Sequence, residues 1–229
     1  MHPGTMLPTR RTALRSGLAA AAAMAFLSPA AFAEQLALTP QLTEGPFYPP
    51  RLPLDTDNDL IIINNSITPA IGQIAHLGGR ILDAGGSPIR NAVVEIWQCD
   101  ANSVYLAQGD EPNRDGNFQG YGRFLTGMSG EYYFRTIKPV PYAGRPAPHI
   151  HVKIRQGRAE LLTTQIFIAR YPNNVHDGVF MGMSDPVDRE LASAEFTPLK
   201  DSKINECMAR FDVVLGRTPA DREHDHDHV

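Results

Sequence analysis

Residues 76–98 read HLGGRILDAGGSPIRNAVVEIWQ, and their pattern decides the fold. Two β-type runs, His76 to Leu82 and Ala92 to Gln98, flank the turn-forming segment Asp83-Ala84-Gly85-Gly86-Ser87-Pro88. Breaks rich in glycine and proline typically join the strands of a β-hairpin. The rhythm continues in four later runs: Glu131 to Ile137, His149 to Arg155, Leu161 to Ala169 and Ala209 to Leu215. We therefore predict an all-β protein, a single β-sandwich with long loops, and one short helix within Asp185 to Ala194.

The sequence on either side of the sandwich differs from it in composition. Residues 34–70 contain the motif Thr43-Glu44-Gly45-Pro46-Phe47-Tyr48-Pro49-Pro50 and an acidic stretch from Asp55 to Asp59, which predict an irregular N-terminal arm. The sandwich itself is expected at residues 71–216. Residues 217–229 form a polar tail in which histidines alternate with aspartates. We expect this tail to be disordered, and metal binding by its histidines is the alternative.

The N-terminus has the layout of an export signal. Arg10 and Arg11 precede an apolar run from Gly17 to Leu27, and Ala31-Phe32-Ala33 is an A-x-A cleavage site. The arginine pair favours the twin-arginine route, and a plain Sec signal is the alternative. We expect residues 1–33 to be a signal peptide and the mature protein to be periplasmic or extracellular, with no membrane association after cleavage.

The charge narrows the range of expected binding partners, and the two cysteines raise the question of a disulfide. The formal net charge is −4 with both signs mixed, so no basic stripe favours nucleic acid and a small molecule becomes the expected partner. Cys99 and Cys207 are the only cysteines. In an oxidising compartment they either pair as one disulfide or remain free and buried, and their positions alone do not decide which.

A metal site is predicted where one of the strands begins. In an extended strand His149 and His151 share one face, while Ile150 turns to the other. Two imidazoles are compatible with zinc, copper, nickel or iron. Tyr142 lies seven residues earlier, and a hard trivalent cation favours the phenolate form of tyrosine, so ferric iron is the natural match. Two phenolates and two imidazoles would leave an open position that suits a catechol.

Several segments together resemble those of a known family. These are Val94-Glu95-Ile96-Trp97-Gln98, the Gly120-Tyr121-Gly122-Arg123 turn, Phe134-Arg135-Thr136-Ile137-Lys138-Pro139, Pro148-His149-Ile150-His151 and Thr163-Thr164-Gln165-Ile166-Phe167. Between about Gly72 and Phe180 the chain resembles the intradiol ring-cleavage dioxygenases, the superfamily of catechol and protocatechuate dioxygenases. The arm segment Thr43 to Pro49 resembles an N-terminal motif of the same family. The resemblance implies a β-sandwich related to prealbumin that holds a non-haem Fe(III) ion.

The resemblance assigns the four metal ligands. Tyr105, eight residues after Trp97, matches the first tyrosine ligand, and Tyr142 matches the second, which the substrate displaces. His149 and His151 match the two histidine ligands. Without the resemblance, Tyr105 would be interpreted as a surface loop residue.

Two further residues match positions that the family places near the substrate. Arg145 resembles an arginine that stabilises negative charge on the attacked ring carbon, although it lies four residues before His149 rather than the usual three. Gln165 resembles a glutamine that faces the substrate beside that arginine. The structural alternatives are a rim salt bridge for Arg145 and a polar strand residue for Gln165.

The implied reaction uses a catecholic substrate and dioxygen, with Fe(III) and no organic cofactor. The ring would be cleaved between its two hydroxylated carbons to give a cis,cis-muconate. Catechol, protocatechuate and hydroxyquinol remain open as substrates, and so does assembly into a homo-oligomer. Two alternatives come from other classes: a non-catalytic transthyretin-like binding module, and a cupin-type enzyme that holds a divalent metal with His149, His151 and a third histidine.

Overall fold

The computed structural model describes residues 36–64 and 66–216, so the predicted signal peptide and the predicted tail lie outside the described residues. Within this part of the chain the strands are β1 (Ile74–Asp83), β2 (Val93–Trp97), β3 (Tyr121–Leu125), β4 (Glu131–Ile137), β5 (His149–Gln156), β6 (Ala159–Ile168), β7 (Ser193–Ala194), β8 (Thr197–Pro198), β9 (Cys207–Arg210) and β10 (Val213–Leu215). Two short α-helices are α1 (Gly178–Gly182) and α2 (Pro186–Leu191), and 3₁₀ turns span Leu106–Gln108 and Pro172–His176. No described helix has the length and apolar character needed to cross a bilayer.

The strands form two five-stranded sheets, which confirms the predicted β-sandwich. In the first sheet β1 pairs antiparallel with β4 on one side and parallel with β9 and then β10 on the other, and β8 adds to β9. The second sheet has the order β3-β2-β5-β6-β7. Its strands β2, β3, β5 and β6 pair antiparallel, and only the short β7 runs parallel to its neighbour.

Strand β5 is buried on both of its faces. Ile150, Val152 and Ile154 belong to the main apolar core. Because side chains alternate along a strand, His149 and His151 lie on the opposite face of the second sheet, away from that core. Both histidines are nevertheless 1% exposed, so a second layer of protein covers this outer face.

The predicted hairpin between β1 and β2 is wrong, because the two strands belong to different sheets. The turn itself is present: Gly86 donates a hydrogen bond to the Asp83 carbonyl at 2.9 Å, and Leu82 bridges Pro88. The chain folds back on β1 only for this short distance and then crosses to the second sheet. Turn-forming residues predict that the chain changes direction, but they do not predict with which strand the next strand pairs.

Two other local predictions are corrected. The Gly120-Tyr121-Gly122-Arg123 segment turns only at Gly120, where φ is +69°, and Tyr121 then begins strand β3. The run from Ala209 to Leu215 is divided into β9 and β10 by Phe211 and Asp212, although both pieces pair with β1. The short helix near residue 185 is confirmed as α2, whose N-terminus is capped by the Asp185 side chain.

The arm closes one open side of the sandwich. Leu60 donates a backbone hydrogen bond to Arg135 of β4, and Arg123 of β3 donates one to Thr56, so the arm bridges the edges of the two sheets. Gly122 allows this close approach, since a Cβ atom there would lie 2.6 Å from Leu60 Cδ1. Leu60 and its neighbour Ile61 are completely buried in the main core.

Cys99 and Cys207 are both buried and unpaired. Their thiols approach the carbonyl oxygens of Val140 and Ile74, respectively, and they belong to different apolar clusters. The fold therefore does not depend on a disulfide.

We predict that Leu60→Ala destabilises the protein by about 2–5 kcal/mol, because the truncation leaves a cavity in a fully buried site. Urea unfolding would measure the change. Leu54→Ala is the matched control, since Leu54 lies in the same arm but is fully exposed, and it should change the stability by less than about 0.5 kcal/mol. Equal effects of the two substitutions would contradict a structural role for the arm.

Candidate active site

The four predicted ligand residues meet on the outer face of the second sheet. Ring centroids lie 5.1 Å apart for Tyr105 and Tyr142, 5.6 Å for Tyr142 and His149, and 4.8 Å for His149 and His151. The Tyr105 and His151 rings, 6.0 Å apart, complete the circle. Strand β5 supplies both histidines, and two separate loops supply the tyrosines. The structure thus brings together residues that are up to 46 positions apart in the sequence.

Most of the polar atoms inside this circle have no partner in the protein. The Tyr105 hydroxyl, Nε2 of His149 and both ring nitrogens of His151 are buried and make no hydrogen bond. Buried polar groups are normally paired, so such a concentration indicates that something else satisfies them. The Ala147 carbonyl accepts a hydrogen bond from the Nδ1–H group of His149 at 2.8 Å, which leaves Nε2 with a free lone pair. The donor set fits a metal ion.

The environment keeps these groups uncharged in the absence of a cation. Burial lowers the pKa of His149 to about 4, and burial together with the neighbouring His149 lowers that of His151 well below its usual value. Burial likewise raises the pKa of Tyr105 and Tyr142. A cation is therefore needed before either phenol ionises near neutral pH, and a highly charged one does this best.

The two tyrosines have different surroundings. Tyr105 is 1% exposed, and the Phe47 ring stacks on it at a centroid distance of 4.5 Å. Tyr142 is half-buried, and burial raises its pKa overall, while the charge and hydrogen bonding of the neighbouring Arg145 offset part of this rise. Tyr105 is thus enclosed, whereas Tyr142 is partly exposed and lies beside a cation that favours its phenolate.

Arg145 is fixed by two side chains. Its Nε donates to Asp177 at 2.8 Å, and its NH2 group donates to the Gln165 side-chain oxygen at 2.8 Å. Gln165 is completely buried and in turn donates to the Thr43 carbonyl of the arm. Gln165 therefore lies beside the arginine, as predicted, and connects it to the arm. Arg145 forms a rim salt bridge and also adjoins Tyr142, so the two interpretations of this residue are compatible.

Sequence reasoning missed the residues that enclose the site. The Trp97 ring stacks on His151 at 4.9 Å, with only 8° between the planes. Tyr48 packs edge-on against Trp97 and donates its hydroxyl hydrogen bond to the buried Glu95. The resemblance of residues 43–49 to a family motif is the sequence signal that could have indicated this packing.

An ion pair also holds the arm on the face of the second sheet that carries the histidines. Lys153, on the same face of β5 as the histidines, forms an ion pair with Glu44 of the arm, and its Nζ lies 4.3 Å from the centre of the Tyr48 ring. Gly45 lies beside the site, since a Cβ atom added there would be 3.5 Å from His151 Cε1. The arm therefore forms a wall of the candidate site.

The cupin-type arrangement finds no support in residues 36–64 and 66–216. No cluster of three histidine, cysteine or acidic residues occurs there. His76 lies in the first sheet, where it contacts Tyr133 and Glu206, and His176 is exposed.

Comparisons with known proteins identify the family of this chain. The Dioxygenase_C family model, described as "Dioxygenase", matches residues 43–216. The chain is 34% identical over 183 residues to the protocatechuate 3,4-dioxygenase beta chain of Burkholderia cepacia. This alignment covers 74% of this chain and 76% of the relative. It is 28% identical over 194 residues to hydroxyquinol 1,2-dioxygenase of Corynebacterium glutamicum. This second alignment covers 75% of this chain but only 61% of the relative.

A solved structure of a dioxygenase domain has a similar fold. The dioxygenase domain of a dioxygenase carbohydrate-binding protein fusion from Streptomyces sp. SirexAA-E superposes with a TM-score of 0.59 at 27% identity, covering 80% of this chain and 100% of that chain. The family match over most of the chain makes this protein a dioxygenase. More specifically, the chain belongs to the intradiol ring-cleavage dioxygenase family.

We predict that the metal-free protein loses stability as the pH falls from about 6.5 to about 4. The pKa of His149 is about 4 in the fold and about 6.5 in the unfolded chain, so protons favour the unfolded chain in this window. The loss attributable to His149 is on the order of 3 kcal/mol. Urea unfolding at several pH values in the presence of a chelator measures it. His149→Asn should reduce the dependence of the unfolding free energy on pH. The control is His176→Asn at an exposed position, which should leave this dependence unchanged. An unchanged pH dependence in His149→Asn would contradict the prediction.

Proposed function

We propose that this protein is an Fe(III)-dependent intradiol dioxygenase that cleaves a catechol between its two hydroxylated carbons, using dioxygen, to give a cis,cis-muconate. The observation that supports it best is the circle of two phenols and two imidazoles, in which the Tyr105 hydroxyl and three of the four imidazole nitrogens are buried without a hydrogen-bond partner. Tyr105, Tyr142, His149 and His151 would hold the iron. When bound, ferric iron would supply a Lewis acid that favours the deprotonated catechol and activates its ring toward dioxygen.

The protein side of the reaction follows from the differences between the residues. Tyr142 is the partly exposed member of the circle, and as a phenolate it would accept one proton of the incoming catechol on its phenolic oxygen. Arg145 stabilises negative charge beside Tyr142, first on the phenolate and then on the attacked ring carbon. His149, His151 and the enclosed Tyr105 remain in place and exclude water from their side of the site.

Relatives narrow the substrate class but do not select one substrate. The two curated relatives above are named for protocatechuate and hydroxyquinol, which are both ring-hydroxylated aromatic compounds. We propose a catecholic substrate for this chain. An oxygen-electrode screen of catechol, protocatechuate and hydroxyquinol, with product absorbance to identify the cleavage position, would identify the preferred one.

We predict that the iron-loaded protein is burgundy because of tyrosinate-to-iron charge transfer, and that Tyr142→Phe shifts this band and lowers kcat by at least about 10²-fold. Visible absorbance, iron analysis and oxygen uptake provide the measurements. Tyr133→Phe is the control, because Tyr133 lies on β4 of the first sheet, and it should leave both colour and turnover unchanged. A colourless protein that is replete with iron would refute the proposed ligand set.

We also propose that the protein is exported in its folded state. The support is the arginine pair, apolar run and A-x-A site of residues 1–33. A fold with two buried, unpaired cysteines is compatible with this route, since it requires no oxidation after translocation.

We predict that replacing Arg10 and Arg11 together by lysine abolishes export, as judged by fractionation and immunoblotting. Arg15→Lys is the control, because Arg15 lies outside the pair, and it should leave export intact. N-terminal sequencing of exported protein should begin at Glu34. Unimpaired export of the double-lysine variant would favour the Sec alternative.

A further inference from the structure

The carboxylate of Asp177 joins three parts of the candidate active site. It is completely buried. Its Oδ2 atom accepts hydrogen bonds from Arg145 Nε at 2.8 Å and from the Ala147 backbone N–H at 3.4 Å. Its Oδ1 atom accepts from the backbone N–H groups of Val179 and Phe180 at the start of α1. One side chain thus holds the arginine, the loop before the histidines and the following helix.

The contact with Ala147 extends to a candidate ligand. The N–H group of Ala147 donates a hydrogen bond to Asp177, and its carbonyl accepts a hydrogen bond from Nδ1–H of His149 at 2.8 Å. The same peptide segment therefore connects Asp177 to the hydrogen bond that directs the His149 Nε2 lone pair into the site. Outer partners of this kind orient metal-binding histidines and fix their tautomer.

Helix capping alone does not explain Asp177. Asp185 caps the neighbouring helix α2 through one hydrogen bond, from the Val187 N–H, and it is exposed. Asp177 makes the equivalent cap for α1 and in addition accepts from Arg145 and Ala147. Burial alone would raise the pKa of Asp177, but the bonds from Arg145 and the backbone outweigh it and lower that pKa, so the carboxylate is charged near neutral pH.

We propose that Asp177 is a positioning residue of the dioxygenase: it directs the Arg145 guanidinium toward the reacting ring and, through Ala147, orients His149. The inference rests on the proposed function, since it assigns Asp177 to the same site. Loss of the Asp177 carboxylate should therefore have two separate effects. Turnover depends on Asp177 through Arg145, and iron retention depends on Asp177 through Ala147 and His149.

The test compares Asp177→Asn with Asp185→Asn. Asparagine keeps the size of the side chain and an oxygen that caps α1, but its amide group replaces the acceptor that faces Arg145 and Ala147. Asp185→Asn makes the same chemical change at a cap that has no contact with the site. Arg145→Ala and the double variant Arg145→Ala with Asp177→Asn complete a cycle, and thermal unfolding of each metal-free variant shows that it folds.

We expect Asp177→Asn to lower kcat per bound iron by about 10- to 100-fold, with KM nearly unchanged, because a misdirected Arg145 loses stabilisation in the transition state only. The double variant should be no slower than Arg145→Ala alone, within about twofold. Fe(III) titration of the metal-free protein, followed by the charge-transfer band, should show about tenfold weaker binding in Asp177→Asn and unchanged binding in Asp185→Asn.

The outcomes separate the inference from the proposed function. If the wild-type protein gives no charge-transfer band with Fe(III) and no oxygen uptake with catechols, the proposed function fails and this inference fails with it. If the wild type is active and Asp177→Asn matches it in kcat and in iron binding, the positioning role alone is refuted. Fully additive losses in the double variant would likewise refute an action through Arg145.

Discussion

The structure depends on strand β5 being buried on both faces. The two-residue period of a strand assigns Ile150, Val152 and Ile154 to the sandwich core and therefore forces His149 and His151 onto the opposite face. Imidazoles on an outer sheet face would ordinarily be hydrated. Here the arm covers them, so the chain builds its polar site in a second, smaller interior beside the main core.

This second interior explains the composition of the arm. Residues 43–48 place Phe47 on Tyr105 and Gly45 against His151, and Glu44 pairs with Lys153 of β5. Farther along, Leu60 enters the main core. The described residues of the arm form no strand or helix of their own, and these contacts fix the arm at two places, one at the site and one in the sandwich. Stability of the fold and closure of the site are carried by the same stretch of chain.

The sequence allowed good predictions where the signal was local. Strand β4 begins and ends where its run of residues predicted, and the histidine pair on β5 follows from the period of the strand. Pairing between strands could not be predicted in the same way: β1 and β2 are close in sequence, yet they pair with different partners because sheet membership is decided by distant strands. Tyr105 required a family resemblance, since its loop has no pattern that indicates where its hydroxyl lies. Asp177 was missed, because a lone aspartate before a glycine signals a helix cap and not a buried contact with Arg145 32 residues away.

The unusual spacing between Arg145 and His149 is explained by the turn that precedes them. Tyr142 and Arg145 exchange backbone hydrogen bonds of 3.1 and 2.9 Å, and Gly144 has a φ of +81°, as the third residue of a type II turn requires. Arg145 is therefore fixed relative to Tyr142, whatever the distance in sequence to the histidines. The residues between Arg145 and His149 are anchored separately, by the contact of Ala147 with Asp177. Because the arginine is oriented by the turn and by the carboxylate, an additional residue before His149 changes the path of the loop without moving the guanidinium away from the phenol that it stabilises.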